Sequence, residues 1–254
     1  MRKEDLADIL DWSERFWLLA GESEPFPRSL ESAVSRALPL AIVKLPRLDG
    51  DSINEYLRKS GLNLSYLSTP RSLRGCLLAR GGVGIVFLDG TDAADEMRFT
   101  LAHEVSHFLL DHLHPRQRAI QSLGSGIQDV LDGLREATPQ ERMNAMFQGV
   151  SFERFEHFTD RRTDGTIGRL EILRVEDRAD RLALELLAPL KCIQESLASR
   201  AATFKDARTQ ALLATILATE YGLPGKLAAA YARFLIAEHA PSRSFRDWLR
   251  GKNI

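Results

Sequence analysis

Cysteine is nearly missing from this chain: there are 2 in 254 residues, Cys76 and Cys192, far apart and in no CxxC pattern. That scarcity speaks against a disulfide framework or a cysteine-ligated zinc site, and reduced thiols in an intracellular setting are expected. An excess of either charge is also missing. Lys and Arg number 34, Asp and Glu 35, and the net charge of −1 gives no global pull toward nucleic acid or an anionic membrane. No apolar run reaches membrane-spanning length, and the start, MRKEDLADILDW, lacks the apolar core of a signal peptide. A cytoplasmic protein without a membrane partner is therefore expected. No internal repeat or low-complexity tract occurs. The hydrophobic share of 44 % and charged share of 27 % suit an ordinary globular chain, long enough for one large domain or two small ones.

Histidine is scarce too, with 6 in all, yet two of them stand four apart around a glutamate in LAHEVSHFLLDH, residues 101–112. His103-Glu104-Val105-Ser106-His107 is an HExxH pattern. On an α-helix, residues four apart share a face, so His103 and His107 can aim at one ion while Glu104, on the flank, reaches a water on it. Phe108, Leu109 and Leu110 give such a helix an apolar back to bury. A short pattern can match by chance, and a His pair can simply satisfy core hydrogen bonds. With so few histidines, chance is the poorer account.

Toward the N-terminus, residues 4–20 space Leu6, Ile9, Leu10, Phe16, Trp17 and Leu19 at helical intervals, and Gly21 stops them. A second apolar stretch, 30–45, ends at Pro46. Residues 1–48 thus read as a helical segment, a cap or docking surface. A helix opens near Asp51 and Ser52 and closes at Gly61. Residues 63–67 and 76–79 read as short strands, with Pro70 and Gly75 in the connections. Residues 84–88, GIVFL, read as a strand closed by Asp89-Gly90. A hairpin followed by an HExxH helix is how zincin-type peptidases present their metal, and the sheet edge beside that helix can accept a peptide as an added strand.

The segment 115–170 is less regular. Thr138-Pro139-Gln140-Glu141 is a capping-box start with Pro at the first helical position. Phe152, Phe155 and Phe158 recur at three-residue spacing, a stripe that could dock on the core or belong to a lid, with docking the commoner fate. Residues 159–165 look like an exposed loop. A helix begins near Val175 and ends at Pro189, its later part strongly apolar. Residues 211–221 and 226–238 form two helices about Gly222-Leu223-Pro224, a helix-turn-helix outline. Its second helix offers only Lys226 and Arg233 as cations, which argues for a packed subdomain over a DNA reader.

A catalytic zinc site usually takes three protein ligands and a water. The tenth position after His103, where some metallopeptidases place a third His, is Leu113. Asp111, one turn beyond His107, could ligate. Glu176 heads a separate helix with Asp180 on the same face four residues on. Glu176 could bind the ion while Asp180 accepts the outer N–H of a ligand His. Glu176 is the favoured third ligand and Asp111 the second choice, although an acid at a helix start is common without any ligand.

Arg74-Gly75-Cys76, Ile85-Val86-Phe87-Leu88, RFTLAHEVSHFLLDH and EDRADRLALELLAP together resemble the ImmA/IrrE family of zinc metallopeptidases, over roughly 50–115 and 170–190 and more loosely to about 237. The resemblance implies a gluzincin-like site with Glu176 as third ligand, and a correspondence of the C-terminal helix pair to the family's helix-turn-helix-like portion. It also implies site-specific cleavage of a helix-turn-helix repressor that switches on stress-response or mobile-element genes. The chain departs from the family pattern at Asp111, where many relatives have His, at Asp180, where Asn is common, and in the length of 115–170.

The expected fold is α+β: a zincin-like small sheet with the HExxH helix at 49–190, followed by a helical subdomain at 191–254. The expected chemistry is hydrolysis assisted by one Zn²⁺ per chain, held by His103, His107 and Glu176. Glu104 takes the proton from the attacking water and passes it to the leaving amine. His112, His114, His157, Tyr221 and His239 are candidates for a donor to the developing oxyanion, each with a plain structural role as the alternative. The same ligand types accept other divalent ions, iron included. The expected partner is a protein substrate, with direct nucleic-acid binding disfavoured. A module that binds a repressor or DNA without turnover is the competing expectation.

Overall fold

A computed structural model describes residues 3–21, 25–62, 72–147, 155–160, 170–204 and 209–239. The chain is mixed α+β and mostly helical, and it divides into two units, 1–187 and 188–254. Residues 1–48 belong to the first unit, together with the sheet.

Helix α1 (Lys3–Ala20) buries Ile9, Trp12, Phe16 and Trp17 and packs on α2 (Leu30–Ala37) and on a later helix, α8 (Leu170–Leu187). Leu10 and Leu19, read as part of its apolar stripe, are exposed. The helical reading of the apolar run through residue 45 does not hold. Ahead of Pro39, Leu38 is extended at φ −130°, ψ 146°, as the proline ring demands, and α2 stops there. The β-branched run that follows becomes β1 (Leu40–Leu45), paired parallel to β3 (Val83–Asp89) from Leu40↔Gly84 to Leu45↔Asp89.

Helix α3 (Gly50–Lys59) starts one residue before the expected Asp51-Ser52 opening, because Asp49 and Ser52 form a capping box. The expected strand at 63–67 lies outside the described residues. β2 (Leu73–Arg80) runs antiparallel to β3, and Gly75 is inside it rather than in a connection. Leu48, Ile53, Leu57, Leu73, Cys76, Leu78 and Phe87 fill the space between α3 and one face of the sheet. The sheet order is β1-β3-β2-β4, where β4 (Phe155–Asp160) pairs antiparallel with β2. The phenylalanine stripe at three-residue spacing therefore does not mark a helix. Phe155 and Phe158 lie in a strand, the start of the 159–165 loop belongs to it, and Phe152 is outside the described residues.

Against the other face of the sheet lies α4 (Ala94–His107), prolonged by a π-helical segment (Phe108–Leu113) and then by α5 (His114–Leu123). A 3₁₀ turn (Ser125–Ile127) and α6 (Gln128–Leu131) follow, then α7 (Pro139–Phe147). The amide and hydroxyl of Thr138 both donate to Glu141, and the Glu141 amide donates back to Thr138, so the expected capping box forms. Trp12 donates through Nε1 to His114 Nδ1 at 3.1 Å, tying α1 to α5.

The second unit holds α9 (Leu190–Ala198), α10 (Thr209–Thr219) and α11 (Gly225–His239). α10 and α11 pack together about a turn in which Gly222 takes φ 65°. Arg200 bridges back to Glu220 at 2.6 Å. Among the described residues, no helix is long and apolar enough to cross a membrane.

Candidate metal centre

Helix α4 approaches the sheet closely enough to bury every residue from Thr100 to His107. Gly75 on β2 permits this, since a Cβ there would stand 2.6 Å from Thr100 Cγ2 and 2.7 Å from Glu104 Oε1. His103 and His107, one turn apart, bring their Nε2 atoms to 3.2 Å. From α8, Glu176 Oε2 stands 3.3 Å from His103 Nε2 and 3.8 Å from His107 Nε2. From β4 comes a residue not expected among the ligands. His157 stacks on the His107 ring at 3.5 Å and sets its Nε2 3.1 Å from Glu176 Oε1. One donor atom from each of His103, His107, His157 and Glu176 lies within 4.8 Å of all the others, and the group could hold a metal ion.

The outer nitrogen of each imidazole has a carboxylate. His103 Nδ1 donates to Asp180 at 2.9 Å, His107 Nδ1 to Asp111 at 2.7 Å, and His157 Nδ1 to Glu104 Oε2 at 2.9 Å. This fixes the ring orientations so that the three Nε2 atoms converge on Glu176, the arrangement that outer carboxylates give metal-bound imidazoles. Asp111 thus meets the outer nitrogen of His107 and is not one of the converging donors. Asp180 meets the outer nitrogen of His103.

The electrostatics follow from this packing. Burial opposes charge on His103, but hydrogen bonds to Asp180 and Glu176 outweigh it and raise its pKa to about 10. For His157, burial is likewise outweighed, by Glu104 and Glu176, and the value rises to about 9. Burial alone would lift Glu176, yet the three imidazoles hold its carboxyl well below the usual range. Glu104 is fully buried and still lowered, because His157 donates to it. Without a metal, His103 and His157 are held protonated against carboxylates, with protons doing the work of the cation.

The other oxyanion candidates are engaged elsewhere. His112 accepts the Gly82 amide at 3.1 Å, and burial, aided by Arg116, pushes its pKa down to about 4. His114 accepts from Trp12. Tyr221 and His239 belong to the second unit, where Tyr221 is buried and His239 donates to the Leu235 carbonyl. Only His157 among the five is in the cluster. The signal for it in the sequence was the aromatic and β-branched content of FEHFTD, which suits a strand.

No protein-family model matches the chain, and no curated protein matches it.

Proposed function

We propose that the chain is a zinc-dependent endopeptidase of the ImmA/IrrE type, with the sheet, α4 and α8 forming a zincin-like catalytic unit of gluzincin ligand pattern. Its substrate on this reading is a protein cut at a specific site, such as a helix-turn-helix repressor in a stress-response or mobile-element switch. One observation carries the reading: a buried HExxH helix faces Glu176 across a gap small enough for a single ion. His103, His107 and Glu176 would hold the metal. Zn²⁺, when bound, supplies a Lewis acid that polarises a carbonyl and makes water a nucleophile near neutral pH. Glu104 takes the proton of the attacking water and delivers it to the leaving amine. Asp111 and Asp180 keep the two imidazoles aimed.

The test is a zinc-loaded sample incubated with a fluorogenic peptide library, with new termini read by mass spectrometry. Turnover is expected for the wild type and is lost in Glu104→Gln at unchanged zinc content. Cleavage by that variant at the wild-type rate would overturn the mechanism.

A second reading is favoured by the fourth donor. Catalytic zinc sites keep a position open, whereas structural ones close it with protein ligands. His157 supplies such a ligand, which suits a metal-holding module that binds a repressor or DNA through α10 and α11 without cutting. Stoichiometric binding without new termini is the outcome this reading requires.

A further inference from the structure

β4 lies at the end of the sheet, paired with β2. In the order β1-β3-β2-β4, the outer edge of β2 would be open without β4. It is also the strand against which Glu104 rests, at Gly75. An extended peptide bound for hydrolysis beside α4 would add to this edge through backbone hydrogen bonds. β4 already does so, antiparallel, from Leu73↔Asp160 to Ala79↔Phe155. His157 lies opposite Leu77, and directly paired residues share a face of the sheet. The Cys76 and Leu78 side chains are turned to the α3 side, so Leu77 and its partner His157 are on the α4 side, over the cluster.

From there, one side chain blocks two functions. Its Nε2 faces Glu176 as a fourth protein donor, and a fourth protein donor would fill the position that a catalytic site leaves to water. Its Nδ1 takes the Glu104 carboxylate as an orienting partner, as Asp111 and Asp180 serve the other two rings, and so occupies the group that would accept the water's proton.

We infer that β4 is an internal pseudosubstrate: it fills the peptide-binding edge of β2 and, through His157, closes the metal centre, so that the described form is latent and an extended peptide segment must replace β4 for cutting to begin. This inference rests on the peptidase reading for its consequence, and on strand pairing and donor geometry for its content. Activity then scales with the fraction of chains in which β4 has left β2. If that fraction is ~1 %, removing the plug raises turnover about 100-fold.

The experiment uses the full chain loaded with Co²⁺, as wild type, His157→Ala and His157→Gln. Gln keeps the volume and a hydrogen bond to Glu104 while being a poor metal ligand, which guards against loss of fold. Azide is titrated while the visible cobalt bands are followed, and the peptide library is assayed on zinc-loaded samples in parallel. The expected result is a wild-type spectrum indifferent to azide, a band shift in both variants, and faster cleavage by both. A wild-type spectrum that shifts as the variants do, or variants that do not shift, would overturn the plug. Variants that open to azide but cleave more slowly than wild type would also overturn it and make His157 a group the reaction needs. Variants that open while no sample cleaves any peptide would uphold closure by His157 and remove the peptidase reading instead.

Discussion

The two helices that carry the centre do so in opposite ways. α4 has no solvent face over its last two turns: Thr100 through His107 are all buried, charged and polar groups included. α8 is amphipathic, burying Ala179, Leu182, Ala183, Leu186 and Leu187, while the side chains of Glu176 and Asp180 remain 38 % and 53 % exposed. Packing therefore sets where the α4 histidines stand and the outer carboxylates set how their rings point, while the acids on α8 reach them from a half-exposed face. A substitution in α4 should disturb fold and metal together, whereas one at the half-exposed acids of α8 should disturb the metal more than the fold.

The largest effect expected is that of His107→Ala. It removes a donor, leaves the Asp111 and Glu176 carboxylates short of a partner, and opens a void in a fully buried position. Metal content by elemental analysis should fall from about one per chain to near none, and the metal-free protein should lose about 2–4 kcal/mol in urea unfolding. Glu176→Ala is the matched case on α8: equal loss of metal with a smaller loss of metal-free stability, because it opens no buried void and removes only the carboxylate that the imidazoles face. Equal destabilisation by the two would erase the distinction between the helices. Next comes Glu104→Gln, which should retain metal and lower cleavage by about 10²–10⁴-fold. Gly75→Ala reaches the same glutamate from the sheet. Its methyl would collide with Thr100 and Glu104, so a cost of about 1–3 kcal/mol is expected, with slower cleavage at unchanged metal content. A variant as stable and active as wild type would show that α4 can retreat from β2.

The outer carboxylates sharpen the comparison. Asp111→Asn and Asp180→Asn each leave the Nε2 donors in place but loosen a ring, and metal affinity measured by competition with a chelator should fall about 10–100-fold. The Asp111 change should lie nearer the upper end, because that side chain is 18 % exposed and Asp180 is 53 % exposed, where water can substitute. A larger loss for Asp180 would mean that exposure is not what ranks them.

How much of this was legible depends on whether a residue's partner is local. His103, Glu104 and His107 stand in one helical turn and a half, and their spacing alone says that they share a face. The Thr138–Glu141 capping box and the β3 strand with its Asp89-Gly90 turn are equally local. Glu176 and Asp180 could be paired with each other by their spacing, though only the fold brings them to α4. β1 and β4 were missed because nothing within either segment distinguishes a strand from a helix strongly enough. Leu40–Leu45 is a strand because β3 is there to pair with it, and three phenylalanines at a spacing of three outweighed the alternation around His157. Gly75 was read as a connector because its reason for being glycine is a pair of side chains, Thr100 and Glu104, on a later helix.

The smallest effect concerns pH in the metal-free protein. His103 and His157 rise from an ordinary value of 6.5 to about 10 and about 9 on folding, because Asp180, Glu104 and Glu176 face them despite the burial. A group whose pKa is raised on folding contributes stability that is complete below its unfolded value and is lost as pH climbs through its folded one. The metal-free chain should accordingly lose a few degrees of thermal midpoint between pH 7 and pH 9.5. The zinc-loaded chain should not share this loss, since the metal takes the place of the Nε2 proton and the remaining Nδ1–H does not titrate in this range. Glu104 and Glu176, lowered on folding, act with the opposite sign and protect both forms until the pH falls to the acid side. The difference between the two melting profiles isolates the cluster from every other titrating group. Parallel profiles would mean that the imidazoles face the carboxylates uncharged even without a metal. The buried helix would then hold its histidines by packing alone, with no contribution from the acids on α8.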